Sequence, residues 1–328
     1  MVLAGGAARH RTAVAEGALA GVAAGAGLGP VARQARIVEQ VPAELHLGRA
    51  HRGPTTIPVN AKLNGLFWDA NESRLYLTDD DANAVKAWEG GEQFSIAGAL
   101  PPMEEGQRST LGQLIRGPGG ALYITRFGFG SYGTVVALPL SGPATNLADL
   151  DGTRRRISLA TAPNGALIDG WFRGGTAGAT SGKVSELSVQ GGQASERELV
   201  SGLNKPVGLA VVGDQLFVTN QGAAQVLAYS LAAVRKAPAT AADGRAVATF
   251  TPADGLDLMT AASDGTLYVG TNKGTLYQIS PSGAVKALAS GWPGIRGLAL
   301  DAENRRLFAA VVAADDKSPS TIRIVPLD

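Results

Sequence analysis

There is no cysteine anywhere in the 328 residues. That removes thiol nucleophiles, thiolate metal centres and disulfides together, and leaves the redox compartment open. Histidine is nearly as scarce: His10, His46 and His51 are the full set, and all three precede the repeats described below. A Ser-His-Asp triad on the repeats is therefore excluded, and Ser131, Ser181 and Thr219 lack a base partner as nucleophiles. Charge of one sign is missing too. Lys plus Arg number 29 against 28 Asp plus Glu, so no global field draws the chain to nucleic acid or to an anionic membrane. The one basic run, Arg154-Arg155-Arg156, reads as a solvated hairpin tip. No stretch is long and apolar enough to span a bilayer.

What is present is a 45% hydrophobic composition and 44 glycines, ample for a large core cut by many turns. Val, Leu, Ile, Tyr and Thr alternate in short runs broken by Gly, Asp, Asn and Pro, without the i, i+3, i+4 spacing of helices. The composition is all-β. A three-residue step recurs along it: Asn64-Gly65-Leu66, Leu111-Gly112-Gln113, Asn164-Gly165-Ala166, Val207-Gly208-Leu209, Asp254-Gly255-Leu256 and Arg296-Gly297-Leu298. The glycines are 47, 53, 43, 47 and 42 residues apart, close to the period of propeller blades. Each step is followed by a turn and a second strand such as Leu75-Tyr76-Leu77-Thr78, Leu122-Tyr123-Ile124-Thr125 or Leu216-Phe217-Val218-Thr219, with Gly170-Trp171-Phe172-Arg173 in that place in the third blade. This pattern predicts a single six-bladed β-propeller over residues 35–328.

The ends carry less information. Residues 1–34 are rich in Ala and Gly, with Arg9, His10 and Arg11 ahead of an apolar run that Glu16 interrupts. They read as an extension or as a weak leader, so a cytoplasmic and a secreted or periplasmic location both stay open. A propeller ring closes when a strand from one terminus completes the blade begun by the other. Arg36 to Val41 alternates as a strand does and is expected to supply the outer strand of the sixth blade.

In an antiparallel hairpin the start of the first strand lies beside the end of the second. This expectation sets Asn64 near Asp79, Leu111 near Arg126, Asn164 near Arg173, Val207 near Asn220, Asp254 near Thr271 and Asn272, and Arg296 near Val311, all at one mouth of the channel.

These motifs resemble the senescence marker protein/gluconolactonase family, also called regucalcin-like, whose members are six-bladed propellers. The resemblance covers about residues 62–283. Members carry Glu, Asn, Asn and Asp in steps of blades one, three, four and five that hold a divalent cation. Here the matching positions are Asn64, Asn164, Val207 and Asp254. The resemblance implies a metal site, for calcium or a similar ion, made by Asn64, Asn164 and Asp254, with Asp79, or its neighbours Asp80 or Asp81, replacing the lost charge if that acidic turn faces inward. It also implies lactone or ester hydrolysis with Asp254 as general base. One carboxylate and two amides are few for a hard cation, so the motifs equally allow a metal-independent lyase or cyclase, or a non-catalytic binding propeller.

A small-molecule substrate is expected at the mouth, touched by Arg126, Arg173, Val207, Asn220, Arg296 and Trp68. The guanidinium groups suit a carboxylate or phosphate, unless they pair internally with Asp79 and Asp254. Trp171, Phe127, Phe129 and Tyr132 are further candidates for the pocket wall. Gly128 to Gly133 fits the Gly-x-Gly-x-x-Gly dinucleotide pattern, but a strand follows it and no helix, so it reads as a loop over the channel.

Overall fold

The computed structural model describes residues 55–107, 110–174, 181–315 and 317–328, all within the compact unit Arg49–Asp328. The readings of residues 1–34, of Arg36–Val41 and of His46 and His51 lie outside the described residues. Six sheets form the blades, antiparallel except for the short parallel edge Ala239–Thr240 of blade three, and the strand that opens each sequence repeat is innermost. The inner strands are Leu63–Asp69, Leu111–Arg116, Arg154–Thr161, Pro206–Val212, Leu256–Ala261 and Ile295–Asp301. The ring is closed by Thr55–Val59, which pairs antiparallel with Ser320–Pro326, Thr55 facing Ile324 and Val59 facing Ser320. The outer place of blade six, expected for Arg36–Val41, is thus taken by a strand beginning nineteen residues later, directly before the inner strand of blade one. The chain therefore crosses the mouth of the channel between Val59 and Leu63 and ties the first blade to the last.

Each inner strand carries one extra residue. Leu63 faces Asp79 and Leu66 faces Leu77, so two residues of the inner strand oppose Thr78. Corresponding shifts fall between Leu111 and Leu114, Arg156 and Ser158, Pro206 and Gly208, Leu256 and Met259, and Ile295 and Gly297. A bulge of this kind turns the strand and re-aims one side chain. The residue that follows the last paired position in each blade is Asn64, Gly112, Ile157, Val207, Asp257 or Arg296.

The bulges also set how closely the blades approach. A Cβ added to Gly297 would lie 2.2 Å from the carbonyl oxygen of Asn64, and one on Gly65 would lie 2.2 Å from that of Gly112. Threonines of the second strands tie the same carbonyls: Thr78 donates to Gly112 O at 3.3 Å, Thr125 to Ile157 O at 3.1 Å and Thr219 to Asp257 O at 3.0 Å. The recurring glycine and the Thr that ends the Leu-Tyr-x-Thr motif are two halves of one blade-to-blade joint.

Blade three departs from the sequence reading. Its inner strand begins at Arg154, so the basic triplet is not a solvated tip. Arg156 occupies the position held by Leu63 or Leu111 elsewhere and is fully buried. Its guanidinium pairs with Asp169, and with Glu196 at 2.6 Å. Arg154 stacks over Trp171 at 4.1 Å, whose indole donates to Ser185 Oγ at 2.9 Å. Burial pushes the Asp169 carboxyl up to about 6. The match to Leu-Tyr here is Leu167-Ile168, which opens the strand Leu167–Arg173.

Two outcomes follow from this packing. Gly297→Ala is expected to destabilise the protein by about 1–3 kcal/mol, as an overpacked core does; an unchanged denaturation midpoint would mean that the inner strands separate freely. Arg156→Met, which leaves a buried carboxylate without its partner, is expected to cost about 3–5 kcal/mol. Asp169 already has a folded-state pKa above its unfolded value, and losing the cation raises it further, so its stabilising protonated form prevails at low pH and is lost as pH rises through that pKa. The loss in Arg156→Met is accordingly smaller at pH 5 than at pH 8 in chemical denaturation.

Candidate functional site

A cavity of about 770 Å³ is lined by residues of five blades, by Lys205 at the entry to blade four and by the closing segment, and so lies on the ring axis at the end where the inner strands begin. Five of the six bulge positions, Asn64, Gly112, Ile157, Asp257 and Arg296, are in its wall. Asp80, Asp81, Lys62, Lys205, Phe127 and Phe129 complete much of the rest. The bulges therefore do the aiming: in every blade but the fourth they lift one residue out of the ladder and present it to the channel.

Two carboxylates in this wall have raised affinity for a proton. Asp80 follows the second strand of blade one; its Oδ1 accepts from the backbone N–H of Leu111 at 2.6 Å and its Oδ2 from Asn64 Nδ2 at 2.8 Å. Burial outweighs both bonds and pushes its carboxyl up to about 6. Asp257 is almost completely buried. It accepts from Arg296 Nη1 at 2.9 Å and from the N–H of Leu258 at 3.1 Å, and burial again pushes it up to about 6. Arg296 itself remains 44% exposed, so its cation faces the cavity while one edge is held. Perturbed acids beside cations in a cleft mark a candidate active site.

The residues expected from sequence divide sharply. Asn64 and Arg296 line the cavity, and Phe127 and Phe129 form its aromatic wall. Of the acidic turn, Asp80 and Asp81 face the cavity, whereas Asp79 is buried, takes Lys86 Nζ at 2.7 Å and caps its own turn. Asp254 is not in the cavity wall. It ends the short 3-10 turn Pro252–Asp254, where Oδ2 accepts from Thr251 N and Oγ1 at 2.8 and 2.7 Å; the Thr251 hydroxyl, with Tyr277, holds its carboxyl below the usual range. Asn164 sits in the turn between the first two strands of blade three, at the far end from Arg173, and accepts from Arg235 Nη2 at 3.1 Å. Arg173 pairs with Asp151 at 2.9 Å on the surface. Val207 is buried at its bulge, and Asn220 is buried and accepts from Asn204 N at 2.8 Å. Trp68 packs on Phe308 at 5.3 Å, within the core between blades one and six. Arg126 is buried and lines a second, smaller space.

Asp257 and Asp80 were the residues missed as leading candidates, and a signal for Asp257 existed. Asn64, Gly112, Ile157, Val207, Asp257 and Arg296 precede Leu75, Leu122, Leu167, Leu216, Leu267 and Leu307 by 9 to 11 residues, whereas Asp254 precedes Leu267 by 13. The spacing to the second strand, and not the glycine, marks the bulge.

No family model and no curated protein matches this sequence, but solved structures superpose closely. The fold is that of the gluconolactonase and regucalcin-like propellers. A gluconolactonase from Xanthomonas campestris matches with a TM-score of 0.64 at 16% identity, over 84% of this chain and 90% of that one. A calcium-binding protein, regucalcin, from Agrobacterium tumefaciens gives 0.62 at 15% identity, over 84% and 97%. Virginiamycin B lyase from Staphylococcus aureus matches at 0.52 and 11% identity, over 84% and 99%.

The donor set does not fit the cation that this likeness suggests. Asn64, Asn164, Asp254 and Asp79 are not brought together, and among the described residues no group of three or more His, Asp or Glu side chains converges. The one deeply set acid on the axis, Asp257, is already neutralised by Arg296, a poor start for a divalent ion that wants several oxygens and often two carboxylates. Dialysed protein is therefore expected to retain well under one equivalent of calcium by elemental analysis, unchanged in Asp254→Ala. A full equivalent that disappears in that variant would restore the expected centre.

Proposed function

We propose that the axial cavity is the active site of a small-molecule hydrolase of the lactone or ester type, with Asp80 as general base. The observation that carries the reading is the placement of this half-buried carboxyl, pushed up to about 6, in the same cavity wall as Lys62, Lys205 and Arg296. A base whose pKa lies near the working pH combines a useful ionised fraction with real basicity.

In this reading Asp80 takes a proton from a water as its oxygen adds to the acyl carbon. The tetrahedral oxyanion gains from the fixed cations, of which Arg296 is the most exposed and is held in place by Asp257. When the acyl carbon–oxygen bond breaks, the proton on Asp80 passes to the leaving oxygen. Asn64 and the Leu111 N–H keep the carboxylate oriented. Asp257 is a positioning residue: its part is to aim Arg296. Phe127 and Phe129 offer an apolar wall to the rest of the substrate.

A second reading rests on the same pair of features. A carboxylate base facing cations also suits removal of a proton from carbon next to a carbonyl, as in a metal-independent lyase or cyclase. Water labelled with oxygen-18 separates the two, since hydrolysis puts label into the acid product and elimination does not.

The test is a panel of lactones and aryl esters with wild type and Asp80→Asn. The variant is expected to lose about a hundredfold or more in kcat/KM, within the range of general-base contributions. Below pH 6 the wild-type kcat/KM should fall about tenfold per unit as Asp80 takes up its proton. Turnover that is unchanged in Asp80→Asn, or flat between pH 5 and 8, would remove Asp80 from the chemistry.

A further inference from the structure

A second space of about 270 Å³ opens beside the axial cavity and shares two wall residues with it, Asp80 and Leu111; its other walls are Asn83, Pro102, Met103 and Arg126. Arg126 ends the second strand of blade two and is only 2% exposed. Among the described residues its side-chain contacts are with neutral groups. Nη2 donates to Asn83 Oδ1 at 2.9 Å and to the carbonyl of Pro101 at 3.0 Å, and Nη1 points to the thioether of Met103. Nε is buried with no partner, and among the described residues no carboxylate lies within ion-pair distance. Burial lowers the pKa of this guanidinium, as it must where no anion opposes it.

A buried cation without a counter-charge is costly, and removing it from water is offset only by a close anion. Every other deeply buried acid or base described above has its opposite within reach: Arg156 has Asp169, Asp257 has Arg296, Asp79 has Lys86. Asp80 lines the same small space as Arg126, and the two make no ion pair. We propose that this space is a subsite for the carboxylate of the substrate, bound by Arg126, so that the molecule acted on is a small monocarboxylic acid whose reacting carbon reaches Asp80. One uncompensated positive charge, with an acid in the same wall, suits a single negative charge better than a phosphate dianion. Met103 is the contact to be displaced, since a thioether is a weak acceptor beside the oxygens that hold Nη2.

The inference rests on the hydrolase reading for its substrate but not for its anion site, and the experiment keeps the two apart. Binding is measured first, without turnover, by calorimetry and thermal shift with acetate, propionate and phosphate against chloride at constant ionic strength. Propionate is expected to stabilise wild type and Asp80→Asn alike, phosphate less, and Arg126→Met not at all. Met103→Leu, which keeps the volume and removes the sulfur, should bind propionate more tightly than wild type and serves if Arg126→Met does not fold. Turnover comes second: an ester or lactone bearing a free carboxylate should exceed its carboxamide analogue by about ten- to a hundredfold in kcat/KM, the worth of a hydrogen bond to a charged group. That preference should vanish in Arg126→Met. Propionate binding without any turnover would sink the hydrolase and leave the subsite standing. No carboxylate binding in wild type, or binding unaltered in both Arg126→Met and Met103→Leu, would overturn the subsite whatever the activity.

Discussion

The joint between neighbouring inner strands is the constraint on which the rest of this molecule depends. At each bulge the backbone leaves the ladder, and at Asn64, Gly112, Ile157 and Asp257 its carbonyl turns toward the preceding blade. There it meets a glycine with no room for a Cβ, as at Gly297 against Asn64 O and Gly65 against Gly112 O, or a threonine hydroxyl, as at Thr125 against Ile157 O. The freed carbonyl would be an orphan in a buried ring without these partners, and an unmade bond there costs more than a made one gains. The same local departure turns the side chains of Asn64, Ile157, Asp257 and Arg296 toward the axis. Packing and site construction are therefore a single event, and mutations that loosen the joint are expected to be felt at the cavity.

The sequence made the fold readable because the joint has a compositional trace. Gly65, Gly208 and Gly297 are glycine for the steric reason just given, and Thr78, Thr125 and Thr219 stand one residue before the ends of their strands for the hydrogen bond they donate. Those residues recur at the blade period, which is enough to count six blades. The trace fades where another residue serves. In blade five the bulge falls at Asp257-Leu258, so the nearest glycine, Gly255, belongs to the turn before the strand and adopts a positive φ of 61°. In blade three Ser158 takes the glycine position and Gly165, φ 82°, is a hairpin turn. A glycine required by close approach and a glycine required by a left-handed turn look identical in sequence. That ambiguity displaced Asp254 and Asn164 from the axis, while Asn64 and Arg296, whose glycines are of the first kind, stood where they were expected.

The charge pairing was less legible for a different reason. Arg126, Arg173 and Arg296 were expected either to meet a ligand or to pair with Asp79 and Asp254; Arg296 does pair with an acid, but the acid is Asp257 at the bulge of blade five. Arg126 was expected at the mouth, and its burial against neutral partners could not be read from spacing, because Asn83 comes from a turn within blade one and Pro101 and Met103 from the connection between the first two blades. Irregular connections carry no period, so what they cover stays hidden until the chain is folded.

These placements together alter what the axis can do. A propeller mouth whose acids converge would suit a cation; here the deep acid Asp257 is committed to Arg296, and Asp79 to Lys86 and its own turn. What remains uncommitted is Asp80, partly sheltered and holding its proton more firmly than usual, and a set of cations around it. At neutral pH the ionised forms of Asp80 and Asp257 work against the fold, since each has a folded-state pKa of about 6 above its unfolded value; the stability from their protonated forms is complete below about pH 4 and is lost as pH rises through 6. A fold keeps acids in such positions at a thermodynamic disadvantage where their chemistry requires it. Arg126 repeats the pattern with the opposite sign, a buried charge set against neutral groups beside the same carboxyl. On the reading proposed above, one event would relieve the strain at Asp80 and at Arg126: the entry of a molecule that brings an anion to the guanidinium and a proton-bearing centre to Asp80.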